Sequence, residues 1–276
     1  MNFDMNTVWS RGVELVRDNF SLLVVIAGVF LLLPSVVMNM LFPDAAAMSG
    51  ANADPDIAAQ QMFAMLGSLF LWAVPLTLVQ FAGYGTMVAL IGADRPTVGE
   101  ALVSGIKATP SMFVIFLLFI LAYLIAAIVI MLPFGLIAGV LGAPWLIFVA
   151  FIPVLGFIFL LMGRLSVTMP ALLFEGSLNP VKAMVRSFQM TATKQWQITL
   201  FWAVIFIVYF VISFLITGLI GVIAALISSS TTAALILGLV SGALAMVSGI
   251  LICALSVAMH SQLSGPSVAA IEETFD

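Results

Sequence analysis

Charge is what this chain has least of. Only 7% of its 276 residues are Asp, Glu, Lys or Arg, against roughly 25% in an ordinary soluble domain. A water-facing surface of this size cannot be covered at that density. Lipid removes the difficulty, because a membrane-facing exterior is apolar. Eight basic residues and a net charge of −4 exclude the basic patch or stripe that nucleic-acid binding needs. The one cysteine, Cys253, excludes an internal disulfide and leaves a structural zinc site without partner thiolates. The one histidine, His260, excludes a His-Glu-x-x-His zinc protease. No long apolar segment contains Asp or Glu. That excludes an intramembrane aspartyl dyad and disfavours a proton- or sodium-coupled carrier, whose relays need ionisable groups within the bilayer. Neither a Walker A sequence nor a dinucleotide fingerprint is present. Gly83-Tyr84-Gly85 is a bare G-x-G and reads as a packing site. A rhomboid-type Gly-x-Ser occurs only at Gly265-Pro266-Ser267, in the polar tail. No cofactor and no metal follow from this sequence.

What remains is hydrophobic sequence, 64% of the chain, in runs of spanning length. A span needs about 20 apolar residues. Six segments qualify: 20–42, 62–85, 111–132, 145–163, 196–227 and 234–259. The first begins late and exceeds the roughly 7–15 residues of a signal-peptide core, so it reads as a span. Between 111 and 163, Pro133-Phe134-Gly135 is the expected breaker, with Gly135–Pro144 as an outer turn or short re-entrant piece. With six spans, Arg11, Arg17, Arg95, Lys107, Arg164, Lys182, Arg186 and Lys194 all fall on one side, and Asp44, Asp54 and Asp56 lie opposite. Positive charge marks the cytoplasmic side, so both termini are expected in the cytoplasm. Trp145 and Trp196, each at the start of a span, suit the interfacial aromatic belt.

Three segments that precede spans 1, 3 and 5 resemble one another. They open at Asp4, Thr97 and Asn179, each an N-cap residue, and a small residue follows eight positions later at Gly12, Gly105 and Ser187. Glu100 completes a capping box with Thr97, and Pro180 takes the first helical position after Asn179. Each segment is amphipathic and reads as a helix lying in the cytoplasmic interface. The exits of the returning spans also match. Thr86-Met87-Val88-Ala89-Leu90 parallels Thr168-Met169-Pro170-Ala171-Leu172, and Leu165 to Met169 parallels Leu255 to Met259. The expected fold is therefore an all-α membrane protein of six transmembrane helices, organised as three tandem units of amphipathic helix plus transmembrane hairpin. The units run approximately 4–92, 93–175 and 176–263 within one integral membrane domain, followed by a polar tail at 264–276. Same-topology repeats of this kind are related by an axis along the membrane normal.

The most distinctive polar stretch runs from Arg164 to Arg186. Arg164, Glu175, Lys182 and Arg186 are candidates for contact with a lipid headgroup or a partner, since guanidinium groups grip phosphate in a bidentate manner. The competing structural reading has Arg164 anchoring a helix end and Glu175 pairing with Arg186 or Lys182. Within the spans, Gln80, Tyr84, Thr86, Ser213, Thr217, Ser241, Ser248 and Ser256 are the candidate polar groups. They either line a pathway or, as such groups more often do, bond across helices. His260 reads as a helix-end group rather than a base, because no acid or nucleophile is adjacent in sequence. Gly135-x-x-x-Gly139 and Gly238-x-x-x-Gly242 permit close helix packing inside the chain. Loop 43–61, with its three aspartates, lacks the dense spacing of a calcium loop.

The order Arg164-x-Ser166, Pro170-Ala171-Leu172, Glu175-Gly176, Pro180-x-x-Ala183, Arg186-Ser187 resembles the glycerophosphoryl diester phosphodiesterase membrane-domain family of bacterial multi-span proteins. The amphipathic start before the first span looks like that family as well. The resemblance implies a bacterial inner-membrane location and a role near lipid or envelope processes. In some members the domain is joined to a soluble phosphodiesterase with a His-Arg-Gly-type metal site. That motif is absent here, so the family name implies no activity for this chain. The expectation is a non-enzymatic membrane protein that binds membrane lipids, a protein partner or a second copy of itself. An uncoupled transporter or channel for a small or lipophilic molecule is the alternative. A membrane enzyme built on Glu175, Arg164 and His260 has the least to stand on.

Overall fold

The computed structural model describes residues 3–41, 55–92, 96–143, 145–227 and 229–264. Among them there is no strand. The helices are α1 (Met5–Asp18), α2 (Phe20–Ala27), a π-helical turn (Gly28–Leu32), α3 (Leu33–Leu41), α4 (Pro55–Leu90), α5 (Val98–Leu141), α6 (Leu146–Leu165), α7 (Thr168–Phe174), α8 (Pro180–Thr191), a 3-10 turn (Ala192–Lys194), α9 (Gln195–Ala225) and α10 (Ser230–Ser264). Among the described residues six helical stretches are long and apolar enough to cross a membrane, the shortest being Phe70–Leu90 with 21 residues. At 1.5 Å per residue that is about 31 Å, which matches a hydrocarbon core about 30 Å thick. The exterior agrees with this reading. Val140 is 87% exposed and Leu226 82% exposed, positions that water would not tolerate along whole helices and lipid does. The chain is a multi-pass α-helical membrane protein.

The helices differ from the sequence-based reading in two places. Helix α4 begins at Pro55, inside the segment 43–61 that reads as a loop. Pro133-Phe134-Gly135 does not break the chain, and 135–141 is neither a turn nor a re-entrant piece. Helix α5 runs through both Pro110 and Pro133 to Leu141. A proline removes one hydrogen bond, whereas a turn inside lipid strands several backbone groups, so the helix continues. The stop comes at Gly142, whose φ of +61° only glycine adopts without strain. There Ala143 N–H donates to the Ala138 carbonyl at 2.9 Å, the bond that closes a Schellman cap. Pro144, Arg95, the acidic positions Asp44 and Asp54, and the tail from Gly265 lie outside the described residues.

The three amphipathic segments begin alike. Asp4 accepts from Asn6 N–H at 3.0 Å and from the Thr7 hydroxyl at 2.6 Å. Thr97 and Glu100 form the reciprocal capping box, with Thr97 N–H to Glu100 at 2.8 Å. Asn179 accepts from Lys182 N–H at 3.1 Å. Four residues on, Val8, Ala101 and Ala183 are buried; four further, so are Gly12, Gly105 and Ser187. They continue differently. Helix α1 stops before α2 at Asn19, α8 passes through a 3-10 turn into α9, and the segment from Val98 simply becomes α5.

Two compact units can be distinguished. One comprises Met1–Glu14, Pro110–Val208 and Ala254–Asp276; the other comprises Leu15–Thr109 and Tyr209–Cys253. In the first, α8 packs on α6 and α7, Phe3 meets Phe201 edge to face at 6.4 Å, and Gly12 lies against Leu255. Asp4 N–H and carbonyl pair with the Gln262 side chain, both at 3.4 Å, so the start of α1 and the end of α10 meet. In the second, α2, the π-turn and α3 pack on α4. A Cβ on Gly83 would come within 2.2 Å of Phe30 Cβ, and one on Gly242 within 2.9 Å of the Leu32 carbonyl. The Gly238/Gly242 pair is therefore a packing stripe against α3 and the π-turn. Gly135 and Gly139, with the same spacing, have nothing within 4 Å, so the expected internal packing is absent at that pair.

Candidate functional site

The site grows from the end of α6. Arg164 occupies its last turn, where a cation complements the negative end of the helix dipole. Two contacts fix it to α8. Its backbone carbonyl accepts from the Ser187 hydroxyl at 2.7 Å, and its Nη1 donates to the Phe188 carbonyl at 3.1 Å. The guanidinium also lies 5.0 Å from the centre of the Phe188 ring, within cation–π range. Ser187 can do this because it is the small residue on the buried face of α8, which lets the two backbones approach.

Beside Arg164 is an open groove of about 710 Å³, walled by Leu118 and by Val181, Met184, Val185 and Phe188 of α8, with Gln189 at its edge. Val181 and Val185 are 57% and 50% exposed. The groove therefore joins an apolar trough to one cation. A guanidinium has five N–H donors, and among the described residues only the bond to the Phe188 carbonyl uses one. No carboxylate lies within 4.0 Å of Arg164 among the described residues; the ion pairs there are Arg11–Glu14, Arg186–Glu175 and His260–Glu175.

Glu175 sits just after α7, before Gly176 turns the chain at φ +68°. It accepts from Arg186 Nε through both oxygens, at 2.9 and 3.2 Å. His260 Nε2 is 3.7 Å from the same Glu175 oxygen, which is beyond hydrogen-bond reach, and the imidazole packs edge to face with Phe174 at 5.7 Å. Of the four candidate contacts, Glu175 and Arg186 are thus brought together and joined by His260. Arg164 has different partners, and Lys182 contributes its backbone N–H to the Asn179 cap while remaining exposed. The pairing of Glu175 is with Arg186, one of the two alternatives the sequence left open.

Three of the eight intramembrane polar groups bond along their own helix. Thr86 donates to Ala82 at 2.7 Å, Ser248 to Ala245 at 3.1 Å, and Ser241 to the Leu237 carbonyl. Ser241 also accepts from Asn39 at 3.3 Å, a contact between helices. Gln80, Tyr84 and Ser213 are half-buried, Ser256 is buried, and Thr217 is exposed on the apolar exterior. Tyr84 offers its backbone carbonyl to Cys253 at 3.8 Å. Sequence reasoning missed Asn39, Phe188 and Gln262. Asn39, as a lone amide near the end of an apolar run, carried a signal; Phe188 and Gln262 carried none, because their partners are far away in sequence.

No family model, no curated protein and no solved structure matches this chain.

Proposed function

We propose that this chain is a lipid-binding protein of a bacterial cytoplasmic membrane that performs no chemistry of its own. One observation carries the reading: the α8 groove couples an apolar trough to a guanidinium that has no carboxylate partner among the described residues. A soluble metabolite gains little from such a trough, whereas an amphiphile fills both halves of it. The exposed apolar residues of the amphipathic segments, Trp9 and Val13, Val103 and Ile106, Val181 and Val185, suit helices that rest in the lipid interface.

The proposed architecture is three tandem units with both termini in the cytoplasm. Its support is the recurrence of cap, buried face and contact. Ser187 bonds the carbonyl of Arg164; a Cβ on Gly105 would lie 2.6 Å from the carbonyl of Ala82; Gly12 rests on Leu255. In the sequence alignment of the units, Ala82 and Arg164 occupy the same position and Leu255 the next one. The pairing of Asp4 with Gln262 agrees with an even number of spans.

The test is native mass spectrometry of the protein released from its own membrane. Retention of a stoichiometric lipid through delipidation is the expected result. A chain that emerges bare, with only exchanging lipids, would sink the proposal and turn attention to protein partners.

A further inference from the structure

We infer that the α8 groove selects a lipid whose headgroup carries a net negative charge, that Arg164 alone makes the selection, and that the chain holds one such lipid. This rests on the lipid-binding reading above and names the ligand class for the same groove.

Two observations support the charge selection. Among the described residues the groove contains one cation, Arg164, and one other polar side chain, Gln189. A phosphodiester can take bidentate N–H bonds from the unused edge of the guanidinium. A zwitterionic headgroup offers the same phosphate but also carries an ammonium, which needs a carboxylate. Among the described residues no carboxylate lines the groove; Glu175 stands outside it and is paired with Arg186 through both oxygens. An anionic headgroup therefore leaves nothing unpaired, and a zwitterionic one does. The same ion pair removes Arg186 from headgroup binding.

The stoichiometry follows from the sequence positions equivalent to Arg164, which are Ala82 and Ala254. The three amphipathic segments meet three comparable exits, but a guanidinium stands at only one of them. The acyl chain lies along Val181, Met184 and Val185, which line the groove, with Val181 and Val185 exposed.

The test uses the full chain in detergent micelles, titrated with phosphatidylglycerol, phosphatidylcholine or inorganic phosphate and read by native mass spectrometry. Wild type is expected to hold one phosphatidylglycerol about tenfold more tightly than phosphatidylcholine, whose ammonium offsets its phosphate beside the guanidinium and finds no carboxylate in the groove. Arg164→Gln abolishes the preference; its backbone carbonyl still receives Ser187, so the helix contact survives. Val185→Trp fills the groove and lowers retention of both lipids with Arg164 intact. Arg186→Gln leaves the preference unchanged. Equal retention of both lipids by wild type overturns charge selection and leaves lipid binding standing. Retention of neither overturns both. Displacement of phosphatidylglycerol by millimolar inorganic phosphate shows a site for a free anion and overturns the lipid assignment.

Discussion

Replacing Gly105 with alanine should destabilise the protein far more than the same change at Gly12, although both are small residues on the buried faces of amphipathic segments. At Gly105 a Cβ would meet Thr86 N at 2.5 Å, Thr86 Oγ1 at 2.5 Å and the Ala82 carbonyl at 2.6 Å. Two of these are backbone atoms. The third is tied down by the Thr86 hydroxyl's own 2.7 Å bond to Ala82. Nothing there can swing aside, so α4 and α5 must separate. Overpacking of this kind costs about 1–3 kcal/mol, and the rigid neighbours place Gly105→Ala at the upper end. At Gly12 the close atom is the Leu255 methyl Cδ2 at 2.7 Å, with the backbone no nearer than 3.6 Å. A rotamer adjustment relieves that contact, and the helix gains about 0.8–1 kcal/mol from losing a glycine. Gly12→Ala should therefore fall within about 1 kcal/mol of wild type. Gly139→Ala, with nothing within 4 Å, serves as the control and should be neutral or stabilising. Equilibrium unfolding in mixed micelles with rising SDS measures all three. Equal stability of Gly105→Ala and Gly139→Ala would refute the packing account, as would a Gly12→Ala cost matching that of Gly105→Ala.

Other consequences are testable in the same preparations. Ser187→Ala removes the hydroxyl bond to the Arg164 carbonyl and should cost about 1 kcal/mol in SDS unfolding; no loss would remove that bond from the account of how α8 docks. Glu175→Gln weakens a pair whose side chains are 35–45% exposed, so its cost should stay below about 1 kcal/mol, and a collapse of the fold would give the cluster a structural weight it is not assigned here. The Asp4 carboxyl is held below the ordinary carboxylate value by its bonds to the Thr7 hydroxyl and Asn6 N–H. Its folded value is the depressed one, so its capping contribution is present above the unfolded value and is lost as pH falls through the folded one. Hydrogen exchange at the first turn of α1 should accelerate below about pH 4, and in Asp4→Ala it should be fast at every pH. Cys253 is buried and should resist an impermeant maleimide. Single cysteines at Asn6 and Gln262 should label from the cytoplasmic side, and one at Ser229 from the opposite side; labelling of Asn6 and Gln262 from different sides would overturn the six-span topology.

The spans were legible in the sequence because lipid imposes one simple requirement, about 20 apolar residues in a row with few charges. The caps were legible too, since Asp4, Thr97 and Asn179 act on backbone within three residues of themselves. Pro133 misled because the rule for proline as a breaker assumes water is available to the freed carbonyl, and in lipid continuing the helix is cheaper than turning. The two Gly-x-x-x-Gly pairs look identical as strings. Only neighbours distinguish them: Val36, Asn39 and Leu32 for Gly238 and Gly242, and none for Gly135 and Gly139. Arg164 was visible as an interfacial cation, but its place on Phe188 and beside an apolar groove depends on how α8 folds back. Likewise the choice of Arg186 over Lys182 as the partner of Glu175 depends on how the chain folds back between them, which no spacing encodes.

The most direct test of lipid binding at the α8 groove is an experimental structure of the protein in a bilayer nanodisc that contains phosphatidylglycerol. The account predicts a phosphate against the free edge of the Arg164 guanidinium, with an acyl chain along Val181, Met184 and Val185. An ordered groove that is empty, or Arg164 turned onto a carboxylate of this chain, would contradict it.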